Sequence, residues 1–258
     1  MFLSDKRAVV TGGGRGIGAA VARALAAEGA AVVLSARRAA EIEAAAAALR
    51  QAGGSAVAVA CDVTQPAAVE HLRDRALAEL GQVDILINNA GIASSATIQE
   101  LRLEEWERLF AVNARGPFLC TQAFLPGMRD RGWGRIVNIA SVAGKVGAPY
   151  ISGYTASKHA VVGFTRALAA EVAASGVTVN AVCPGYVDTP LTDGSVARIV
   201  ERTGMDAEAV REKLRRMSPQ RRLFAPEEVA HLVLMLCHPL AKGVNGQALV
   251  LDGGGVQS

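Results

Sequence analysis

The sequence predicts an α/β domain in which seven strands form one doubly wound parallel sheet, with helices on both faces. Short β-branched apolar runs alternate with longer amphipathic or alanine-rich stretches, a pattern typical of βαβ units. The apolar runs are continuous rather than alternating, so both faces of the sheet should be covered. With 258 residues, 51% of them hydrophobic, the chain can bury a large core. No linker or internal repeat interrupts it, which predicts a single domain over residues 1–258.

Each predicted strand is a short apolar run bounded by glycine, asparagine or charged residues. In chain order the predicted strands are Ala8–Thr11, Ala31–Ser35, Ser55–Ala60, Val83–Ile87, Arg135–Ala140, Val177–Val182 and Ala248–Leu251. The predicted helices are Gly16–Glu28, Ala39–Ala52, Pro66–Leu80, Glu104–Arg129, Tyr154–Ala174 and Pro226–Cys237. The charged segment Pro190–Pro219 lacks a strand of its own, and a departure of this length predicts a substrate lid at about residues 188–220. A solvated helical pair without function is the alternative.

Composition and charge exclude several classes of protein. The net charge is +3 and aromatic residues make up 4%, which does not fit a nucleic-acid-binding surface. No apolar stretch is long enough to span a membrane, and the charges at Asp5, Lys6 and Arg7 do not fit a signal peptide. The cysteines are far apart, without metal-ligand spacing. We therefore expect no metal, reduced thiols and a cytoplasmic location.

A glycine-rich turn follows the first predicted strand and opens the first helix. It reads Thr11-Gly12-Gly13-Gly14-Arg15-Gly16-Ile17-Gly18. Glycines allow the backbone to approach a pyrophosphate, and the helix N-terminus offers unpaired N–H groups. In this strand–turn–helix context the turn predicts a dinucleotide site, to which we assign Gly12, Arg15, Gly16, Ile17 and Gly18.

The end of the second strand indicates which dinucleotide binds. A carboxylate there would accept from the ribose 2′-hydroxyl of NAD, whereas arginine would pair with the extra phosphate of NADP. The chain has Arg37 and Arg38 at this point, with no acid before Glu41, and Arg15 is a further cation. These residues predict NADP(H). Alternatively, Arg37 and Arg38 only end a strand in solvent.

Tyr154 and Lys158 lie four residues apart in a predicted helix. This spacing places them on one face, so the ammonium of Lys158 can favour the phenolate of Tyr154 and lower its pKa. Ser141 precedes the tyrosine by thirteen residues at a strand end, and Asn113 lies in a long predicted helix.

Together these motifs resemble the short-chain dehydrogenase/reductase family over almost the whole chain. The residues that carry the resemblance are Thr11–Gly18, Asn88–Gly91, Asn113, Ser141, Tyr154, Lys158 and Pro184–Gly185, in order and in register. The resemblance implies a Rossmann-type sheet, a nicotinamide cofactor and a homotetramer or homodimer.

The resemblance also implies roles for individual residues. Tyr154 would be the general acid or base, Ser141 would bind the carbonyl oxygen, Lys158 would bind the nicotinamide ribose, and Asn113 would hold a water leading to Lys158. The remaining cofactor contacts would come from Asp62, Val63, Asn89, Ala90, Gly91, Pro184, Val187 and Thr189. Local structural roles are the alternatives: a strand-ending turn at Asn88–Gly91, and helix caps at Ser141 and Asp62.

The substrate is expected to be a small ketone or alcohol, free or linked to coenzyme A or a carrier protein. Parts of the chain resemble 3-oxoacyl, acetoacetyl-CoA and polyketide ketoreductases, and the lid resembles that of 3-hydroxybutyrate dehydrogenases. The three segments that hold a carboxylate in the latter are here Ile92-Ala93-Ser94, Val142-Ala143-Gly144 and Ile151-Ser152-Gly153. The polar groups that bind the carboxylate are missing there, and a buried unpaired carboxylate would be costly, which favours an NADPH-dependent reductase of 3-oxoacyl thioesters. The alternatives are a dehydrogenase of cyclic, aromatic or steroid-like secondary alcohols, and a nicotinamide-nucleotide-binding protein without turnover.

Overall fold

Seven parallel strands form one sheet within residues 1–257, the part of the chain that the computed structural model describes. Their spatial order is β3-β2-β1-β4-β5-β6-β7. The strands are β1 Arg7–Thr11, β2 Ala31–Ala36, β3 Ala56–Ala60, β4 Ile85–Asn88, β5 Gly134–Ile139, β6 Val177–Pro184 and β7 Ala248–Leu251. Their bounds lie within two residues of those predicted, and the predicted fold class, a Rossmann-type sheet, is confirmed.

Helices connect the strands and cover both faces of the sheet. They are α1 Gly16–Ala27, α2 Ala39–Gln51, α3 Pro66–Leu80, α4 Leu103–Phe110, α5 Gly116–Asp130, α6 Ser152–Glu171, α7 Pro190–Thr203, α8 Ala207–Arg216 and α9 Pro226–Cys237. The segment predicted to be a lid consists of α7 and α8, which pack against each other after β6.

The long helix predicted over Glu104–Arg129 is present, with helical backbone from residue 103 to residue 130. A π-helical turn over Ala111–Arg115 divides it into α4 and α5, which the sequence did not predict. Pro117 lies two residues after this turn and removes one helical N–H donor there. The apolar pattern continues through the turn, and for this reason it does not indicate the change in hydrogen bonding. Such π-helical turns are frequent at functional sites, and this one carries Asn113.

Alternate residues of each central strand enter different cores, because successive side chains point to opposite faces of a sheet. Val10 belongs to the core beneath α1, α2 and α9, whereas the adjacent Val9 belongs to the core beneath α3, α5 and α6. Both valines are fully buried. The sheet is therefore covered on both faces, as its continuous apolar runs predict.

The strand order reverses direction between β1 and β4, which are neighbours in the sheet. At such a switch point the connections on either side leave toward opposite faces, and a crevice opens at the carboxyl ends of the strands. The loops that follow β1, β4, β5 and β6 meet at this edge, so the predicted site residues on those loops are brought together.

Within residues 1–257 no helix is long and apolar enough to cross a membrane. Over the same residues, no group of three or more His, Cys, Asp or Glu side chains is arranged to hold a metal ion. All four cysteines are buried and unpaired.

Candidate active site at the carboxyl edge of the sheet

A cavity of about 380 Å³ lies at the carboxyl edge, between the sheet and the α7–α8 segment that is predicted to be a lid. Half of the predicted site residues line it: Ile17, Asn89, Gly91, Ser141, Tyr154, Lys158, Pro184, Val187 and Thr189. The other predicted residues lie outside its lining: Gly12, Arg15, Gly16, Gly18, Arg37, Asp62, Val63, Ala90 and Asn113. The cavity therefore collects the residues assigned to the reacting end of the cofactor.

The hydroxyl of Ser141 lies just beyond β5 and has a local partner. It accepts a hydrogen bond from the backbone N–H of Ala143, 3.1 Å away, and so caps a single 3₁₀ turn over Val142–Gly144. The predicted capping role and the predicted site role are compatible, because the same hydroxyl lines the cavity and retains its proton to donate.

Lys158 is held in place by the end of β5. Its side chain is 5% exposed, and its Nζ donates a 2.8 Å hydrogen bond to the carbonyl oxygen of Ile139. The same Nζ lies 5.9 Å from the ring centroid of Tyr154. Burial lowers the pKa of Lys158 to about 8, because the charged ammonium loses hydration in the interior.

Tyr154 departs from the expectation that Lys158 lowers its pKa. Burial raises the pKa of Tyr154 to about 12, against the opposite effect of the Ser141 hydroxyl. Loss of hydration of the charged phenolate outweighs the attraction expected from Lys158, whose Nζ donates its hydrogen bond to the carbonyl of Ile139 and not to the tyrosine. At neutral pH the phenol is therefore protonated, which suits a group that gives a proton to a carbonyl oxygen.

Asn113 pairs with the loop that follows β4. Its Oδ1 accepts from the N–H of Ile92 at 2.9 Å, and its Nδ2 donates to the carbonyl of Ile92 at 3.0 Å and to Ser157 Oγ at 3.0 Å. The side chain thus fixes the wall that carries Gly91. A Cβ on Gly91 would lie 3.4 Å from Asn113 Oδ1 and 3.7 Å from Lys158 Nζ.

The glycine turn has the geometry of an anion site. Gly12 and Gly16 have φ of +65° and +53°, which favour glycine. No side chain caps the N-terminus of α1, and no acidic residue lies in its first turn. The free N–H groups and the helix dipole therefore fit a pyrophosphate. Asn89 braces the turn, since its Nδ2 donates to the carbonyls of Thr11 and Gly12 at 2.9 and 3.1 Å.

Charged side chains surround the place expected for the adenosine ribose. Arg37 makes no ion pair within residues 1–257, whereas Glu41 pairs with Arg38 and lies 3.2 Å from Arg15 Nε. Two arginines thus share one carboxylate and Arg37 adds a third positive charge near the end of β2, a balance that suits a phosphate more than a neutral ribose hydroxyl. The Asp62 carboxylate accepts from the N–H of Thr64 at 3.0 Å, in a turn that precedes α3. No side chain caps the N-terminus of α3, so the alternative of a helix cap at Asp62 is wrong.

Sequence reasoning missed several residues of the cavity wall, and two of them come from different elements. Arg198 enters it from α7, and Val256 enters it from the chain after β7. For Arg198 a signal existed: Leu191, Ser195 and Arg198 recur at helical spacing and share one face of α7. For Val256 no local pattern indicates the contact, which depends on where β7 ends.

Comparisons with known proteins agree with this arrangement. The model of the family described as short chain dehydrogenase matches residues 6–199. The chain is 43% identical to cis-4-hydroxycyclohexanecarboxylate dehydrogenase of Sinomonas cyclohexanicum over 97% of its own length and 96% of that protein. It is 39% identical to D-beta-hydroxybutyrate dehydrogenase of Cupriavidus necator over 99% of both chains.

A solved structure with a similar fold extends the comparison. A single-substitution variant of actinorhodin polyketide ketoreductase, solved with NADPH, superposes with a TM-score of 0.94 at 40% identity, covering 97% of each chain. Fold, motif order and similarity over nearly the whole length agree, and the chain belongs to the short-chain dehydrogenase/reductase family of oxidoreductases.

Proposed function

We propose that the protein is an NADP(H)-dependent ketoreductase that interconverts a ketone and a secondary alcohol. The observation that carries the proposal is the cluster of Ser141, Tyr154 and Lys158 on the wall of one cavity, with the tyrosine protonated at neutral pH. A protein that only bound the nucleotide would have no need of this acid. A 3-oxoacyl thioester is the first substrate class we propose.

The residues divide the work of reduction. A nicotinamide cofactor, when bound, supplies the hydride. The Ser141 hydroxyl donates a hydrogen bond to the substrate carbonyl oxygen, and Tyr154 gives its proton to the same oxygen as the alcohol forms. Lys158, buried at the end of β5, orients the cofactor ribose and carries positive charge close to the tyrosine. In the reverse reaction Tyr154 takes the proton from the alcohol. Asn113 holds the Ile92 backbone and thereby the cofactor-facing wall.

The preference for NADP(H) is supported by the cations near the end of β2. Arg37 has no acidic partner among the described residues, and a planar guanidinium pairs well with a phosphate. The residues that we propose to bind the cofactor are Gly12, Arg15, Gly16, Ile17, Gly18, Arg37, Asp62, Val63, Asn89, Ala90, Gly91, Tyr154, Lys158, Pro184, Val187 and Thr189. The ratio of kcat/KM for NADPH to kcat/KM for NADH tests the preference, and a higher value for NADH would overturn it.

Thioester substrates are supported by the resemblance to ketoreductases, while docking of a carrier protein has less support. Of the two arginines at the end of α5, Arg131 donates to the carbonyl of Val83 at 2.6 Å and lies 3.7 Å from Asp84. Both arginines are exposed, but among residues 1–257 Arg129 is the one of the two without a carboxylate within ion-pair distance. Coenzyme A thioesters are therefore the form to assay first.

The cavity wall favours a second candidate, a dehydrogenase of cyclic secondary alcohols. Aliphatic side chains from both the lid and the loop after β5 face the space beside Tyr154, among them Val142, Val146, Ile199 and Met217. Such a wall suits the faces of a saturated ring. The relative from Sinomonas cyclohexanicum is named for a cyclic substrate.

One assay separates the two candidates, because a thioester reductase should prefer acetoacetyl-CoA and a dehydrogenase of cyclic alcohols should prefer cyclohexanone. NADPH oxidation is measured with acetoacetyl-CoA, cyclohexanone and an aryl methyl ketone, with Tyr154→Phe as the control enzyme. We expect turnover of at least one ketone by the native enzyme and severe loss in the variant. No turnover on any ketone, or full activity of Tyr154→Phe, would overturn the proposed function.

We also propose a homotetramer or homodimer in the cytoplasm. Phe118 on α5 is 45% exposed and stacks edge-on against Phe164 of α6, with ring centroids 6.4 Å apart. An apolar face on two adjacent helices suits an isologous interface. The four buried, unpaired thiols suit a reducing compartment. Light scattering that gave the mass of a monomer would contradict the oligomer.

A further inference from the structure

Arg198 is a cation on the lid side of the cavity. It lies on α7, on the same helical face as Leu191 and Ser195, which also line the cavity. It is three residues from Ser195 and seven from Leu191, so one face of the helix presents all of them to the cavity. Most of the surrounding lid side chains, such as Ile199 and Leu214, are aliphatic.

The guanidinium of Arg198 is incompletely paired. One Nη donates a 3.0 Å hydrogen bond to Ser195 Oγ. Its Nε is buried and has no hydrogen-bond partner within residues 1–257, and no carboxylate of those residues lies within ion-pair distance of Arg198. A buried donor without an acceptor costs free energy, and a cation without a counter-ion costs more. The side chain therefore has capacity for an anion.

Glu105 of α4 is an acidic residue on which the charge of Arg198 acts, but its carboxylate already has another partner. Arg108 Nε and Nη2 donate to its two carboxylate oxygens at 2.8 and 2.9 Å. The Arg108 guanidinium, with smaller contributions from Ser94 and from the more distant Arg198, holds the pKa of Glu105 below its usual range. Arg202, one turn after Arg198, is by contrast paired with Glu100. The cavity-facing arginine is thus the one left for a ligand.

We propose that Arg198 binds a carboxylate of the substrate, so that the enzyme acts on an oxo acid and its hydroxy acid. This inference rests on the proposed ketoreductase function, and it puts a free oxo acid in place of the thioester as the substrate class of the same site. The carbonyl would lie at Ser141 and Tyr154 and the carboxylate at Arg198, with an aliphatic ring or chain between them against the apolar wall. A guanidinium matches a carboxylate with two parallel N–H donors, and the unpaired Nε supplies one of them.

The segments 92–94, 142–144 and 151–153, which correspond to the carboxylate-binding segments of hydroxybutyrate dehydrogenases, contain no Lys or Arg. In this chain a different element, α7, contributes the cation Arg198 to the cavity. The substrates named for two relatives, cis-4-hydroxycyclohexanecarboxylate and D-beta-hydroxybutyrate, are both hydroxy acids. These names agree with the proposal, while its physical basis is the unpaired Nε in an apolar cavity.

The test compares acids with matched neutral ketones. NADPH-dependent reduction is measured for 4-oxocyclohexanecarboxylate, its methyl ester, cyclohexanone, acetoacetate and acetoacetyl-CoA, with the native enzyme, Arg198→Met, Arg198→Lys and Arg216→Met. Arg216 lies on α8 of the lid and is paired with Glu212 in solvent, so its substitution removes an equal charge away from the cavity. NADPH affinity and circular dichroism report whether each variant is folded.

For the native enzyme we expect at least one oxo acid to have a higher kcat/KM than its neutral counterpart. Arg198→Met should lower kcat/KM for that acid by roughly 10- to 100-fold, mainly through KM, since a hydrogen-bonded charge is lost. Activity on cyclohexanone should stay within about threefold, because a neutral ketone has no carboxylate that could pair with Arg198. Arg198→Lys should be intermediate, and Arg216→Met should resemble the native enzyme on every ketone.

Several results would overturn the inference. The ester could be reduced as well as the acid, or Arg198→Met could impair acid and ester equally. Alternatively, the variant could impair only acetoacetyl-CoA, which would place a coenzyme A phosphate on Arg198 instead of a substrate carboxylate.

A binding measurement separates this inference from the proposed function. Cyclohexanecarboxylate has no ketone group to reduce. Its affinity is measured by calorimetry for the native protein and for Arg198→Met. If the native protein reduces no ketone but binds cyclohexanecarboxylate through Arg198, the proposed function fails and the anion site stands. If neutral ketones are reduced while cyclohexanecarboxylate binds equally to both proteins, the anion site fails and the reductase stands.

Discussion

The two walls of the cavity are built differently. The wall made by β5 and α6 belongs to the central sheet, where Lys158 and its neighbour Ser157 are buried at 5% and 0% exposure. The lid made by α7 and α8 has a small core of its own, in which Val196, Val210 and Leu214 are the buried members. The remainder of the lid surface is largely charged. The groups proposed for proton transfer thus lie against the central sheet, whereas the other side of the cavity is formed by a segment with a separate small core, as expected for the predicted lid.

This contrast also separates two kinds of substitution. Changes in the β5–α6 wall should act on the chemical step and leave substrate preference unaltered, because Ser141 and Tyr154 contact the carbonyl that all candidate ketones share. Changes in the lid should act on KM and substrate preference. The predictions below test this division, beginning with the largest expected effect.

Tyr154→Phe should have the largest effect. Removing the hydroxyl removes the proton donor, so kcat should fall by roughly 10²- to 10⁴-fold with NADPH affinity retained. Steady-state kinetics and fluorescence titration of NADPH measure the two quantities. Tyr186→Phe is the matched control, since Tyr186 also lines the cavity and should cost much less. Equal losses in both variants would refute the assignment of the acid.

The pH dependence should differ between the two directions of reaction. Burial raises the pKa of Tyr154 to about 12, so the phenol stays protonated and reduction should not lose its acid between pH 6 and 9. Alcohol oxidation requires the phenolate and should rise with pH, by at most about tenfold per unit below the pKa. Lys158 loses charge above a pKa of about 8, which should flatten the rise. Oxidation rates that fall from pH 7 to 9 would contradict this prediction.

A pair of core substitutions compares the stability of the two regions. Ile87 is fully buried in the sheet, and Ile87→Ala should lower the free energy of unfolding by about 2–5 kcal/mol. Leu214→Ala empties part of the small lid core and should mainly raise KM and increase hydrogen exchange in α7 and α8, with a smaller loss of global stability. Denaturant unfolding and hydrogen exchange measure both effects. Equal loss of global stability in the two variants would mean that the lid unfolds together with the sheet.

The smallest effects should come from the charges that select the cofactor. Arg37→Ser should raise KM for NADPH by up to about tenfold and leave KM for NADH almost unchanged, since only NADPH carries the 2′-phosphate. Glu41→Gln should act in the opposite direction, because Glu41 now pairs with Arg15 and Arg38. Initial-rate kinetics with both cofactors measure these changes. A similar change in KM for NADH would place Arg37 away from the phosphate.

Much of the fold could be predicted, because its signals are local. The apolar runs predicted all seven strands to within two residues, and the family motifs identified Ser141, Tyr154 and Lys158, which the structure places on one cavity wall. The π-helical turn inside the long helix over Glu104–Arg129 was missed because it keeps the apolar pattern while changing the hydrogen bonding. The effect of Lys158 on Tyr154 was misjudged because burial cannot be judged from the four-residue spacing of this pair.

The sequence by itself determined the parallel sheet, the glycine turn and the spacing of the acid–lysine pair, since each depends on residues within a few positions of one another. Only the tertiary structure decided what the acid faces. Arg198 and Tyr154 are 44 positions apart, and they share a cavity because β6 ends beside β5 and α7 folds back over that edge. Whether the Nε of a partly buried guanidinium keeps a free donor depends on the neighbours that pack around it, and those neighbours come from distant parts of the chain.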